Sequence, residues 1–152
     1  MCYILGDTMQ EMTFFFYGTL MDSKIGEVIE RIPGKIQGQL WDFGPFPAAI
    51  EGEGIIKGML VRANVPGEFL HVMDHYEGYY GDDNPYNYYV RKRIIAIDSA
   101  GNEVECWVYF FADMKTFESE KKLGTISLLE SGDWFNRFEN IEFKGDFDAE
   151  EG

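Results

Sequence analysis

The sequence predicts a single α+β domain built on a mixed, mostly antiparallel sheet that curls towards a barrel, with a few short helices. Three observations lead there. Strand-like runs and helix-like runs alternate without the regular β-α-β rhythm of a parallel sheet. Glycines fall inside the strand candidates, at Gly38, Gly54 and Gly58, where bulges and sharp curvature form. The composition is that of a folded globule, with 45% hydrophobic and 16% aromatic residues in 152.

Each element has a local reason. Thr13 to Tyr17 is a run of aromatics with no alternation, the pattern of a strand buried on both faces, and Gly18 ends it. Asp22 or Ser23 can cap a helix through Ile32, because Ile25, Val28, Ile29 and Ile32 recur at helical spacing and Pro33-Gly34 would stop it. Lys35 to Phe43 and Ile55 to Arg62 are β-rich. Pro66-Gly67 opens a short helix with Phe69, Leu70, Val72, Met73 and Tyr76 on its inner face. Tyr88 to Asp98 and Glu103 to Phe111, joined by Ser99 to Asn102, form an antiparallel hairpin. A polar helix near Phe117 to Lys122 follows, then Ser131 to Phe138. The organisation is an extension at residues 1–11, a domain at 12–138 and an acidic, solvated tail at 139–152.

Charge narrows the function. With 27 acidic against 13 basic side chains, the net charge is −14, which disfavours nucleic acid and anionic membranes as partners. Cys2 and Cys106 form no metal or redox pair, and no apolar stretch is long enough to cross a membrane, so a cytoplasmic protein is expected. There is no phosphate-binding loop, dinucleotide fingerprint or serine-hydrolase elbow. His71 and His75 have a metal-gripping spacing but lack a zincin's glutamate and a clear third ligand, so no metal is assigned.

Two segments remain as candidate chemistry. Tyr17-Gly18-Thr19-Leu20 ends a buried strand in a glycine turn, which leaves backbone N–H groups free to bind an oxyanion or carboxylate. Glu77 closes the Pro66-Gly67 helix and is followed by Gly78 and a loop carrying Tyr79, Tyr80, Tyr86, Tyr88 and Tyr89. A carboxyl among aromatic rings is poorly solvated as an anion, so its pKa rises towards the range of a general acid/base.

Taken in order, Tyr17-Gly18-Thr19-Leu20, Phe46-Pro47-Ala48-Ala49-Ile50, Gly58, Met73-Asp74-x-x-Glu77-Gly78, Tyr89-x-Arg91, Trp107-x-Tyr109 and Glu130 to Trp134 resemble the γ-glutamylcyclotransferase-like (AIG2-like) family, in particular its small bacterial members. The resemblance implies a small barrel-like fold and release of 5-oxoproline and a free amine from a γ-glutamyl amine or amide, with no cofactor. It implies Glu77 as the catalytic residue and a substrate site drawn from Tyr17, Gly18, Thr19, Leu20, Pro47, Tyr89, Arg91 and Tyr109. Tyr109 is read as a pocket hydrogen-bonding residue or as cross-strand packing, and Arg91 as a partner for the substrate carboxylate or as half of a structural salt bridge. Asp133 and Trp134 are candidates to close one side of the pocket, with Trp134 also read as a core anchor. The acidic surface favours a zwitterionic substrate or one with a cationic amine portion. A non-catalytic small-molecule or protein-binding module using the same pocket, or the tyrosine loop, is the alternative.

Overall fold

The computed structural model describes residues 9–18 and 27–136. Thr19 and Leu20, the start of the expected first helix, Cys2 and the acidic tail lie outside the described residues. In chain order the elements are β1 (Met9–Phe16), β2 (Glu27–Asp42), β3 (Pro47–Pro66), α1 (Phe69–Tyr76), β4 (Tyr89–Asp98), β5 (Glu103–Phe111), α2 (Met114–Leu123) and β6 (Ser127–Leu128). The sheet runs β3-β1-β5-β4-β2-β6, and β2 also pairs with β3, so the sheet curls back on itself as expected. All pairings are antiparallel except β1 with β5, which run parallel through Phe14 and Trp107.

β1 has no solvent face along its second half. Phe15 and Tyr17 join the barrel interior with Ile36, Leu40, Ile56, Leu60, Val108 and Trp134, while Phe14 and Phe16 join a second cluster beneath α1. The strand begins at Met9, earlier than the sequence reading placed it, because Met9 to Met12 pair with Ala63 to Pro66. A third cluster, around Trp41, Ala48, Phe111 and Phe117, lies under α2. That helix is capped by Asp113, whose side chain accepts from Thr116 N, and ends at Gly124 in the left-handed conformation.

One expected element is corrected. Glu27 to Ile32 is strand, not the end of a helix: Glu27 faces Asn64, and Ile32 faces Leu60. The β-branched residues that suggested a helical stripe, Val28, Ile29 and Ile32, also suit a strand, and a 20-residue partner in β3 decides between the two. Pro33 and Gly34 do not end the element either. Pro33 has no N–H to give, yet its carbonyl accepts from Ser99 N at 2.9 Å, and Gly34 faces Gly58.

The internal glycines shape the β2–β3 ribbon as the sequence suggests. Its register jumps from Gln37 facing Ile55 to Gln39 facing Ile50, so Gly38 opposes the Glu51–Gly54 segment. At Gly58 the crossing with β1 is so close that an added Cβ would lie 2.3 Å from the carbonyl oxygen of Phe16 and 2.7 Å from the Phe15 ring. Among the described residues no helix is long and apolar enough to cross a membrane.

Gly58→Ala is expected to destabilise the domain by about 2 kcal/mol, because the obstacle is backbone and a packed ring rather than a movable chain end. Urea unfolding measures this; an unchanged midpoint would mean the crossing has slack.

Candidate active site

At one end of the barrel, a cavity of about 220 Å³ is lined by Phe15, Phe16, Tyr17, Gly18, Phe46, Pro47, Tyr76, Glu77, Tyr89 and Tyr109. Five chain segments converge on it. Tyr17 and Gly18, just past the end of β1, lie there, and β3 begins there at Pro47. β4 and β5 contribute Tyr89 and Tyr109, which lie two residues apart across the hairpin register, since Tyr89 faces Phe111 and Arg91 faces Tyr109. Gly18 fits against Pro47, whose Cγ would be 2.9 Å from any Cβ at that position.

Glu77 arrives on α1. Phe69, Leu70 and Met73 seat the helix over Phe14 and Phe16, with the Phe14 and Phe69 rings edge to face at 5.7 Å. Val72 and Tyr76, expected on that inner face, are exposed instead; Tyr76 falls at the rim of the cavity. Eight residues give two turns, and the apolar stripe of so short a helix narrows to three side chains. Glu77 then caps the helix, its N–H donating to Met73 O at 2.9 Å, and Gly78 turns the chain away with φ +71°.

The Glu77 carboxyl is poorly solvated. Its Oε2 is buried and finds no hydrogen-bond partner among the described residues. Burial disfavours its charged form and pushes its pKa from 4.5 up to about 7, as expected for a carboxyl among aromatic rings. Three of the four cavity tyrosines, Tyr17, Tyr89 and Tyr109, answer to the same environment. Burial raises the pKa of Tyr17, Tyr89 and Tyr109, and the negative charge of Glu77 adds to the rise at each, so all three stay neutral phenols. Their protons are spoken for: Tyr17 OH donates to Tyr109 O at 2.5 Å, Tyr89 OH to Pro47 O at 3.5 Å and Tyr109 OH to Asp74 Oδ1 at 2.7 Å.

Of the residues expected to form the site, Tyr17, Gly18, Pro47, Glu77, Tyr89 and Tyr109 come together at this cavity, while Arg91 does not line it. Arg91 is engaged by Asp74 in a two-pronged ion pair, Nε to Oδ1 at 2.7 Å and a terminal nitrogen to Oδ2 at 3.0 Å, and its guanidinium stacks 4.3 Å above the Trp107 ring. Asp133 lies on a separate groove beside Gly34 and Lys57, and Trp134 is buried in the barrel interior. Phe46 and Tyr76 complete the cavity rim, and Asp74 buttresses it; the sequence reading gave none of these a place in the site. The signal for Asp74 was its position one helical turn before Glu77, on the same short helix.

Other candidate chemistry lies elsewhere. His71 and His75 are exposed, and among the described residues no group of three His, Cys, Asp or Glu side chains is placed to hold a metal. Burial drives the Cys106 thiol up to about 12, which leaves it protonated and unreactive. The tyrosine loop is ordered by its own amides. Asn87 accepts from Tyr80 N at 2.7 Å and donates to Gly81 O at 2.6 Å, while Asn84 accepts from Tyr86 N at 2.8 Å. Tyr80, Tyr86 and Tyr88 stay exposed on it.

Comparison with known proteins bears on this arrangement. The family model described as gamma-glutamyl cyclotransferase, AIG2-like, matches residues 14–136. Among solved structures, YkqA from Bacillus subtilis superimposes with a TM-score of 0.55 at 18% identity, covering 82% of this chain and 40% of that one. This chain therefore spans less than half the length of YkqA. A structure described as gamma-glutamyl cyclotransferase superimposes with a TM-score of 0.51 at 15% identity, covering 68% of each chain. At these identities the likeness concerns the fold. A direct sequence search of curated proteins returns no match.

The buried carboxyl makes stability depend on pH. The penalty for ionising Glu77 is absent below about 4.5 and complete above about 7, so the folded protein loses stability as pH rises through that window. Glu77→Gln, which never ionises, is expected to match wild type at pH 4 and to exceed it at pH 8 by up to about 3 kcal/mol. Thermal unfolding at the two pH values decides it; equal stability at pH 8 would mean the carboxylate is solvated.

Proposed function

Because the chain belongs to the gamma-glutamyl cyclotransferase, AIG2-like family, we propose that it is an enzyme converting a γ-glutamyl amine or amide into 5-oxoproline and a free amine, with Glu77 as general acid/base. The observation that carries this reading is the Glu77 carboxyl, with one oxygen buried and unpartnered among the described residues, in a cavity beside Tyr17 and Gly18.

The reaction suits such a site. The substrate's own α-amine attacks its γ-carbonyl and closes a five-membered ring, so the enzyme need only hold the two groups together and manage protons. The α-ammonium first gives a proton to ionised Glu77. The freed nitrogen then bonds to the γ-carbon, and the carbonyl π electrons move to oxygen. When the tetrahedral intermediate collapses, the bond to the departing nitrogen breaks and Glu77 returns its proton there. A second proton leaves the ring nitrogen and ends on the released amine or in water. A carboxyl with a pKa near 7 can both accept and donate at neutral pH. In this reading the Tyr17-Gly18-Thr19-Leu20 turn forms the binding cavity and supplies backbone N–H groups to the developing oxyanion. Pro47, Tyr89 and Tyr109 shape the wall that holds the γ-glutamyl chain. Arg91 is given the second of its two readings, a structural ion pair with Asp74.

A second reading, a protein-binding module, is favoured by the exposed Tyr80, Tyr86 and Tyr88 of the loop beside the cavity. One assay separates the two. A panel of γ-glutamyl amines and amides incubated with the protein is expected to yield 5-oxoproline, with kcat/KM rising as pH rises through about 7, where Glu77 ionises. Glu77→Gln is expected to lower kcat by about 10²–10⁴-fold. Equal rates for the two proteins would remove Glu77 from the mechanism, and no product from any compound would leave the binding module.

A further inference from the structure

Away from the cavity, where β2 pairs with β3 and meets β4, the surface carries a groove of about 720 Å³. Lys35 of β2 and Lys57 of β3 face each other directly across the antiparallel register, and both line it. Like charges set opposite each other on neighbouring strands repel. The strand cations Arg62, Arg91, Lys92 and Arg93 are each matched by a carboxylate. Among the described residues neither Lys35 nor Lys57 is, in a chain where acids outnumber bases by 27 to 13. The groove has two acids of its own, but they serve their own turns. Asp98 accepts from Ala100 N at 2.9 Å and Asn102 N at 2.8 Å, and Asp133 accepts from Asn136 Nδ2 at 2.6 Å. Pro33, Met59, Ile97 and Phe135 give the groove apolar walls, and Phe135 is exposed. The groove therefore offers two unmatched ammonium groups beside apolar side chains.

The same chain supplies a complementary segment. Asn136, the last of the described residues, lines the groove. Residues 139–152 carry six acids and one lysine, with Ile141, Phe143 and Phe147 among them. Glu139 lies three residues beyond Asn136 and Glu142 six, reaches of at most about 11 Å and about 22 Å in an extended chain, enough to cross a groove of this volume. We propose that the groove is the docking site of this chain's own acidic segment, residues 139–152, whose carboxylates pair with Lys35 and Lys57 and whose apolar residues cover the apolar walls. Docking replaces the solvated tail expected from composition and removes the repulsion between the two lysines. Single exposed ion pairs are weak. Here the tether makes the contact intramolecular, at an effective concentration in the millimolar range, so several weak pairs suffice. The groove shares no lining residue with the Glu77 cavity, so the proposal stands apart from the cyclotransferase reading.

Carbodiimide cross-linking of the full chain tests this, because it joins a carboxylate only to an amine that it touches. Mixing ordinary with ¹⁵N-labelled protein before the reaction lets mass spectrometry of the digest separate links within one chain from links between two. Links within one chain are expected from Glu139, Glu142, Asp146 or Asp148 to Lys35 or Lys57. They should exceed links to Lys115 and Lys122, exposed on α2, by about fivefold or more, and fade in about 0.5 M salt as screening shortens the reach of the charges. A second measurement needs no reagent. Glu139→Gln, Glu142→Gln, Asp146→Asn and Asp148→Asn, combined in one full-length chain, are expected to move the amide NMR signals of Lys35, Lys57 and Gly101 while those of Tyr17, Glu77 and Tyr109 stay in place. Links absent from Lys35 and Lys57, or spread equally over all four lysines, would overturn the docking, as would groove signals that do not move. Links found only between chains would seat a second copy's segment in the groove and overturn the tethered contact.

Discussion

The architecture depends on one constraint: β1 carries three consecutive phenylalanines and a tyrosine, so both of its faces must be kept from water. A flat sheet with one wet side cannot do that. The sheet therefore curls until Phe15 and Tyr17 are enclosed within it, and a helix must cover Phe14 and Phe16 from outside. The covering helix is α1. Its C-cap, Glu77, is carried to the end of β1, next to Tyr17 and Gly18. The requirement to bury one strand thus places a carboxyl at the mouth of the barrel.

The electrostatics of the site follow from the same burial. A chain with net charge −14 has many carboxylates, and among the described residues Glu11, Glu30, Glu51 and Glu105 are each exposed and matched with a cation. Asp74 and Glu77, one turn apart, show two different solutions. Asp74 accepts two hydrogen bonds from the Arg91 guanidinium and one from the Tyr109 phenol, whereas the Glu77 Oε2 has no partner among the described residues and burial raises its pKa.

Much of this was legible in the sequence, because the relevant signals are local. The unbroken aromatic run of β1, the hairpin around Ser99 to Asn102, the glycine irregularities of β2 and β3, and the aromatic surroundings of Glu77 all lie within short windows. What was not legible depends on partners distant in the chain. Val28, Ile29 and Ile32 carry a spacing compatible with helix or strand, and only the reach of β3 settles it. Arg91 has the right charge for a substrate carboxylate, but its true neighbour, Asp74, comes from a helix 17 positions away, brought beside it by the docking of α1. The buttressing of Tyr109 by that same aspartate is likewise a product of tertiary packing, invisible to periodicity.

The brevity of α1 carries a consequence of its own. Eight residues in water do not hold a helical shape unaided; α1 persists because Phe69, Leu70 and Met73 find the outer face of β1. The barrel, by contrast, is closed by one long ribbon, the 16-residue β2 paired with the 20-residue β3. Glu77 is thus fastened to a two-turn helix held by three apolar side chains, and the scaffold around it belongs to a more cooperative unit. A local opening of α1 would therefore carry Glu77 out of the cavity while leaving the barrel strands paired.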